Sequence, residues 1–408
     1  MDDRMRAPLT VFSILPLLLS PIGCQETNPS RENDTHAAPG ITVSLPAPGE
    51  RDLPPDGGNA VIVAAESSGE DEISALIQTL QDLTNHEFSD SNDGNRTQMD
   101  RHRHLRMVEI ATDIMRMTAQ LTDRQQEFQF ALRQRLASRL QLALTGSRED
   151  VDQLYRDVET LNSHDESSIA TAEGIYTLAR FAHAMAKRSG DDDVRWFENF
   201  SRWAREFSRR FPNQTERASA LLLGAGRSCE VQMMKESEES AKRLRQQAKL
   251  CFAELAEKYP DRIESSQAAA ALRRMALPGS PLTQFSGPVQ GGGNFSSTDV
   301  QQGQTLIYFW QSGNPEFEDA LLPVLRGLPD SVQLVGVCLD TSSETARSTT
   351  DRLRLRGRQI VFSGADAGWN SPLARFWAIP ASPCCWILRD GTVIAVDVSA
   401  EELRKKIQ

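Results

Sequence analysis

The sequence predicts two unlike halves: an all-α array of helical hairpins, followed by an α/β domain with a helix-covered sheet. Over residues 70–276, apolar residues recur at steps of three and four, which is the spacing of amphipathic helices. Beyond Val300 the pattern changes to short apolar runs bounded by turn residues, which is typical of buried strands. The segment 277–281 contains two prolines and a glycine, so we place the domain boundary between residues 276 and 277.

The first half is predicted as a succession of helices. Ile73, Leu76 and Leu80 mark the apolar face of the first, and Met107, Ile110 and further apolar residues to Leu121 mark the second. The polar interval 88–100 between them is predicted as a loop. Further helices are predicted over residues 124–144, 150–161, 167–187, 193–211, 216–234, 239–259 and 264–275.

A weak internal repeat indicates how these helices are arranged. The segment 203–212 is similar to 252–260: each has an aromatic residue, ends its helix at a proline, and is followed by an alanine-containing helix. This pattern resembles tetratricopeptide hairpins, which implies a concave surface that binds peptides. A plain helical support without a ligand is the alternative. The aromatic residues at helical spacing are predicted to be core: Trp196, Phe200, Trp203 and Phe207.

The N-terminus has the pattern of an export signal. An apolar run over residues 7–22 is too short to span a membrane and is followed by Gly23-Cys24. This resembles the lipidation site of bacterial lipoproteins, which implies that Cys24 is lipidated and becomes the mature N-terminus on the periplasmic side of the cell envelope. A plain signal or anchor is the alternative, and a start at Met5 instead of Met1 improves the pattern. Residues 25–69 are predicted as a disordered tether between the lipid and the folded body.

Charge and cysteine content narrow the function classes. The 408 residues carry a formal net charge of −11, which disfavours a nucleic-acid partner. No Cys/His spacing fits zinc and no glycine-rich segment fits a phosphate loop, so we predict neither a metal nor a cofactor. Cys229 and Cys251 fall on predicted helices. Two interpretations stay open: each is a buried small hydrophobic residue, or the two form a disulfide if their helices pair.

The second half alternates strands and helices. Strands are predicted over residues 305–310, 332–340, 359–362, 385–389 and 392–396, and helices over 315–326, 344–355 and 401–407. The last two strands flank Asp390-Gly391, which predicts a hairpin. The glycine-rich segment 287–293 is predicted as a hairpin or linker. Together these elements indicate an α/β sheet covered by helices.

Several motifs in this half resemble the membrane-associated thioredoxin-like proteins of the TlpA and alkyl-hydroperoxide-reductase kind. They are the entry segment 277–285, Phe309-Trp310 at the end of the first strand, Val335-Gly336-Val337, the approach 377–383 and the Asp390-Gly391 turn. The resemblance covers about a third of the chain. It implies a thioredoxin fold over residues 277–408, with a cis-proline at Pro383 preceded by Ser382 and a groove near Trp310.

The departure from that family lies at its redox motif. Redox members carry Cys-x-x-Cys at a helix start, where the helix dipole and backbone N–H groups stabilise a thiolate. The corresponding positions here are Asn314 and Phe317, and neither side chain forms a thiolate. The resemblance therefore implies that dithiol exchange and peroxide reduction are absent at this helix.

A cysteine pair, Cys384-Cys385, directly follows Pro383. The fold implied by the resemblance would place these thiols near Asn314 and partly exposed. Three interpretations stay open: small residues at a strand start, a strained vicinal disulfide, or a reactive thiol that ligates or forms mixed disulfides.

Three functions follow from these observations. The first is a non-catalytic, lipid-anchored scaffold that binds an exported protein or peptide. The second is a thiol-disulfide oxidoreductase that acts through Cys384 or Cys385. The third is a structural envelope lipoprotein whose helices only space a domain from the membrane.

Overall fold

The structure, a computed structural model, describes residues 64–85, 93–189 and 193–407. The predicted signal peptide, the predicted lipidation site Cys24 and most of the predicted tether lie outside these residues. The first helix begins at Ala64, so residues 64–69, assigned from the sequence to the tether, are helical.

The helical region consists of consecutive helices joined by short connections. Their bounds are α1 Ala64–Asn85, α2 Asp93–Thr118, α3 Gln125–Thr145, α4 Arg148–His164, α5 Ile169–Ser189, α6 Arg195–Arg210, α7 Thr215–Met233, α8 Glu238–Lys258 and α9 Ile263–Met275.

The loop prediction for residues 88–100 is wrong in its second half, because α2 already begins at Asp93. Ile110 and Ile114 of α2 lie in a buried cluster with Ala131 of α3. Once packing has nucleated a helix, adding residues to its end costs little, so polar composition alone does not stop it.

The hairpins inferred from the repeat are present as α6–α7 and α8–α9, each pair in direct contact. Phe200 and Phe207 of the predicted aromatic stripe are fully buried, and Trp196 and Trp203 pack partly buried against the same cores. Cys229 and Cys251 are buried in this cluster as free thiols. These side chains therefore serve as core.

A five-stranded mixed sheet forms the centre of the second half. In chain order its strands are β3 Gln304–Trp310, β4 Gln333–Cys338, β5 Arg358–Ile360, β6 Cys384–Arg389 and β7 Thr392–Val398, and their spatial order is β5-β4-β3-β6-β7. Strands β3, β4 and β5 are parallel, whereas β6 runs antiparallel to β3 and β7. The predicted fold class, a helical array followed by a thioredoxin-fold domain, is confirmed.

A small hairpin precedes the sheet, and helices cover both of its faces. The hairpin strands are β1 Ser286–Pro288 and β2 Asn294–Ser296, which flank the glycine-rich segment. A π-helical turn, Glu316–Leu321, leads into α10 Leu322–Arg326; the others are α11 Ser343–Leu353, α12 Pro372–Trp377 and α13 Ala400–Ile407.

Helix α12 is missing from the sequence prediction, although its start signals are present. The Ser371 hydroxyl accepts a hydrogen bond from the N–H of Ala374, and Pro372 occupies the first turn. Among the described residues, no helix is both long and apolar enough to cross a bilayer.

Candidate functional site

The segment between β3 and the π-helical turn holds the first predicted site residue, Asn314. Its side-chain Oδ1 accepts hydrogen bonds from the backbone N–H groups of Glu316 at 2.9 Å and Phe317 at 3.3 Å. These are the N–H groups that a helix start leaves without intrahelical partners. The Asn314 carboxamide therefore caps the helix, and the donors that would stabilise a thiolate there are already engaged.

Asn314 also connects this helix start to the loop of the second predicted feature. Its Nδ2 donates to the carbonyl oxygen of Ser382 at 2.8 Å. The Ser382–Pro383 peptide bond is cis, at the position where the resemblance places a cis-proline. One neutral side chain thus holds together the two segments that a redox-active thioredoxin fold would place on either side of its nucleophile.

Phe317, the other residue that the resemblance predicts at a redox-motif position, belongs to the core. Its ring is fully buried and stacks against Trp310, with centroids 5.6 Å apart, and against Tyr308 at 6.2 Å. The prediction that Trp310 lines a groove is wrong, because the Trp310 side chain is fully buried in this layer. A strand residue with helices packed over it has no open face to offer a ligand.

The buried polar ends of this aromatic layer converge on Gln359 of β5. The Trp310 Nε1 donates to Gln359 Oε1 at 3.1 Å, and Gln359 Nε2 donates to the Tyr308 hydroxyl at 2.8 Å. Sequence reasoning missed Gln359. Its only signal is a long polar residue inside a predicted buried strand, where an amide needs partners.

Cys384 and Cys385 open β6, which lies between β3 and β7. Successive strand residues face opposite sides of a sheet, so Cys384 joins one core layer and Cys385 the other. Their exposed fractions are 1% and 0%. The expectation of partial exposure is therefore wrong, because both faces of this strand are covered.

Both thiols are free, and burial raises the pKa of each. For Cys384 the neighbouring Asp397 carboxylate acts in the same direction. Because the thiolate is the reactive form of cysteine, this environment suppresses reactivity. The geometry fits the interpretation of small residues at a strand start.

A shallow recess lies beside the cysteine pair. Its lining includes Pro383, both Cys384 and Cys385, and Ser399 of the thioredoxin-like domain, together with Met234, which directly follows α7. The helical region therefore contributes a wall next to the cis-proline.

A buried charged cluster lies nearby and was also missed from the sequence. Arg274 of α9 donates through Nε to Asp397 Oδ2 of β7 at 2.9 Å and through Nη2 to Glu230 of α7. All three side chains are buried. From the sequence alone, Arg274 would be expected to be a solvent-exposed charged side chain in the last turn of a helix. Among the described residues, no group of three or more His, Cys, Asp or Glu side chains is placed to hold a metal ion.

Of the comparisons with known proteins, the one with solved structures found similar chains. No protein-family model and no curated protein matches the chain. The thioredoxin domain of a thiol-disulfide oxidoreductase from Bacteroides vulgatus is 18% identical, with 32% of this chain and 98% of that chain covered and a TM-score of 0.28. A thiol-disulfide oxidoreductase from Bacteroides fragilis is 21% identical, covering 31% and 96%, at 0.27. A thioredoxin-like protein from Bacteroides caccae is 11% identical, covering 61% and 83%, at 0.32.

Proposed function

We propose that this chain is a lipid-anchored protein of the cell envelope that scaffolds exported polypeptides without exchanging disulfides. The observation that carries the proposal is the double role of Asn314, whose amide caps the helix start and holds the Ser382 carbonyl. A carboxamide is neither a nucleophile nor a leaving group for a disulfide. The thioredoxin-like domain then acts through its shape and its contacts.

Two further observations support this function. The sequence pattern around Cys24 favours export and lipidation, which would restrict partners to polypeptides outside the cytoplasm. The α6–α7 and α8–α9 hairpins supply stacked helices of the kind that present a concave surface to peptides. Because Trp310 and Pro383 are buried, we assign polypeptide binding to the helical region in preference to the cis-proline edge.

The experiment uses the full chain with Cys24→Ser, which leaves five cysteines. We expect no acceleration of insulin reduction by dithiothreitol. We also expect no thiol to react with 5,5′-dithiobis(2-nitrobenzoate) in the native protein, and all five to react after denaturation. The matched control is Cys384→Ala/Cys385→Ala. Insulin reduction by the parent that this double variant abolishes would replace our proposal with the alternative, an oxidoreductase acting through the cysteine pair.

Binding is tested separately with a labelled unfolded polypeptide that carries no thiols, such as reduced and carboxymethylated α-lactalbumin. We expect the same affinity in the parent and in the double cysteine variant, since no covalent step is involved. Absence of binding in both would leave the third function, a spacer without a polypeptide ligand.

A further inference from the structure

Three arginines of the helical region donate hydrogen bonds to backbone carbonyl groups just before the cis-proline. Arg273 Nη2 donates to the Phe376 carbonyl at 3.0 Å, and Arg274 Nη1 donates to those of Trp377, at 2.5 Å, and Ala378. Arg227 of α7 donates to the Ala378 carbonyl at 3.0 Å. Two separate helices thus hold one short stretch of the thioredoxin-like domain.

These carbonyls are the ones that α12 leaves without partners. The helix ends at Trp377, and Ala378 adopts a left-handed conformation with φ of 45°. The last carbonyls of any helix need partners from outside it. In this chain the arginines of α7 and α9 supply them, so the end of α12 is complete only with the helical region in place.

Buried charge strengthens the same contact. Arg227 and Arg274 lie beside Glu230 and Asp397, so two positive side chains balance two negative ones. Asp397 belongs to the sheet and the other three to the helical region. A desolvated ion pair is costly to break on one side only, because the remaining charge stays buried without its partner. The cluster therefore favours the fully docked arrangement.

Apolar contacts complete the junction. Ala378 lies in the core cluster of the helical region, and the Phe376 ring lies under Arg273 at 4.5 Å. Met234 packs against the sheet core and lines the recess beside Pro383 and Cys384. The helical region thus contributes to a recess that both Cys384 and Cys385 line, while Cys385 also packs in the layer with α10 and α13 of its own domain.

We infer that the helical region is a built-in clamp: it holds the stretch before the cis-proline in place and so keeps the recess beside Cys384 and Cys385 closed. Release of the clamp would free the 376–379 stretch and expose Cys384, whose core layer Met234 covers, and would widen the recess that Cys385 also lines. This inference goes beyond the proposed function, because it concerns what keeps the recess closed. It applies whether or not the helices bind a polypeptide.

The test measures alkylation of single cysteines in the full chain with Cys24→Ser. Native protein is treated with N-ethylmaleimide, and each cysteine is followed by peptide mass spectrometry. Arg227→Ala removes the contacts with the Ala378 and Ile379 carbonyls and the ion pair with Glu230. Met234→Ala removes the side chain that the helical region contributes to the recess. Arg205→Ala is the matched control, since Arg205 pairs with Glu254 at 3.3 Å within the helical region.

We expect Arg227→Ala and Met234→Ala to raise the alkylation rate of Cys384 by about tenfold or more, because the rate follows the population of the opened state. Cys229 and Cys338, which are buried but do not line the recess, should keep their parental rates, and Arg205→Ala should change the rate of none of these three cysteines. Arg274→Gln should give a larger rise at Cys384.

Two results would overturn the clamp. One is an unchanged Cys384 rate in both Arg227→Ala and Met234→Ala. The other is an equal rise at Cys384, Cys338 and Cys229, which would mean that the chain opens only by global unfolding. A reactive Cys384 in the parent would count against the proposed function, so failures of the two ideas are distinguishable.

Discussion

The side-chain amide of Asn314 donates a 2.8 Å hydrogen bond to the carbonyl oxygen of Ser382, so Asn314 connects the start of the π-helical turn to the residue before the cis-proline. The same side chain accepts from the N–H groups of Glu316 and Phe317. One carboxamide therefore caps the helix start and also holds the loop that carries the cis-proline.

Replacing Asn314 should lower stability. Asn314→Ala removes both the cap and the contact with Ser382, and we expect a loss of about 1–2 kcal/mol in the free energy of unfolding. Asn314→Ser keeps a capping oxygen but is too short to reach Ser382, so its loss should be smaller. Urea denaturation followed by circular dichroism measures both. A stability of Asn314→Ala equal to the parent's would show that these contacts contribute nothing.

Substitution of Gln359 should lower the free energy of unfolding, because its side chain is the hydrogen-bond partner of buried polar groups. Gln359→Leu leaves the buried Trp310 N–H without its acceptor, which should cost about 1–3 kcal/mol. Tyr308→Phe is the control, because Gln359 keeps the Arg356 carbonyl at 3.0 Å as an acceptor in that variant. Denaturation midpoints and tryptophan fluorescence report both changes. The reverse order of stabilities would contradict this account of the aromatic layer.

The close approach of α7 to α8 depends on Gly226. A Cβ at this position would overlap the ring of Phe252, which is fully buried and has no room to move. We therefore expect Gly226→Ala to destabilise the chain by about 1–3 kcal/mol. Gly327→Ala provides the comparison, since its Cβ would meet its nearest neighbours at 3.6 Å, and it should stay within about 0.5 kcal/mol of the parent. Thermal unfolding of the two variants and the parent measures both changes in stability. Equal stability of the two variants would contradict the expected overlap at Gly226.

Stability should fall with acidification because of His183. Its imidazole stacks on Phe200 at 4.7 Å, and burial, with a smaller contribution from Lys187, lowers its pKa to about 4. A base with a depressed pKa binds protons in the unfolded chain first. Its contribution is therefore complete above about pH 6.5 and is lost as the pH falls from there towards 4.

The loss from this group should be roughly 2–3 kcal/mol, because one pKa unit corresponds to about 1.4 kcal/mol. Burial also lowers the pKa of His104, which contributes with the same sign. Free energies of unfolding at pH 7.0, 5.5 and 4.5 should therefore fall less steeply in His183→Gln than in the parent. Parallel pH profiles would mean that His183 has the same pKa in the folded and unfolded chains, so that burial does not lower it.

Local sequence patterns are enough to predict most of the secondary structure of this chain. The three- and four-residue spacing of apolar side chains is enough to place most helices, and short apolar runs place every strand of the main sheet. The absence of cysteine at Asn314 and Phe317 needs no structure at all. These features depend on neighbours within a few residues, which is why the sequence alone determines them.

The tertiary structure alone decided which side chains are accessible. Burial of Trp310 and of the Cys384–Cys385 pair depends on helices covering both faces of the sheet, which no local pattern specifies. The Arg274–Asp397 contact joins residues 123 positions apart. From the sequence, a charged side chain in the last turn of a helix and another near the end of a strand are both expected to be exposed to solvent. They are buried here because distant elements pack together and exclude water from between them.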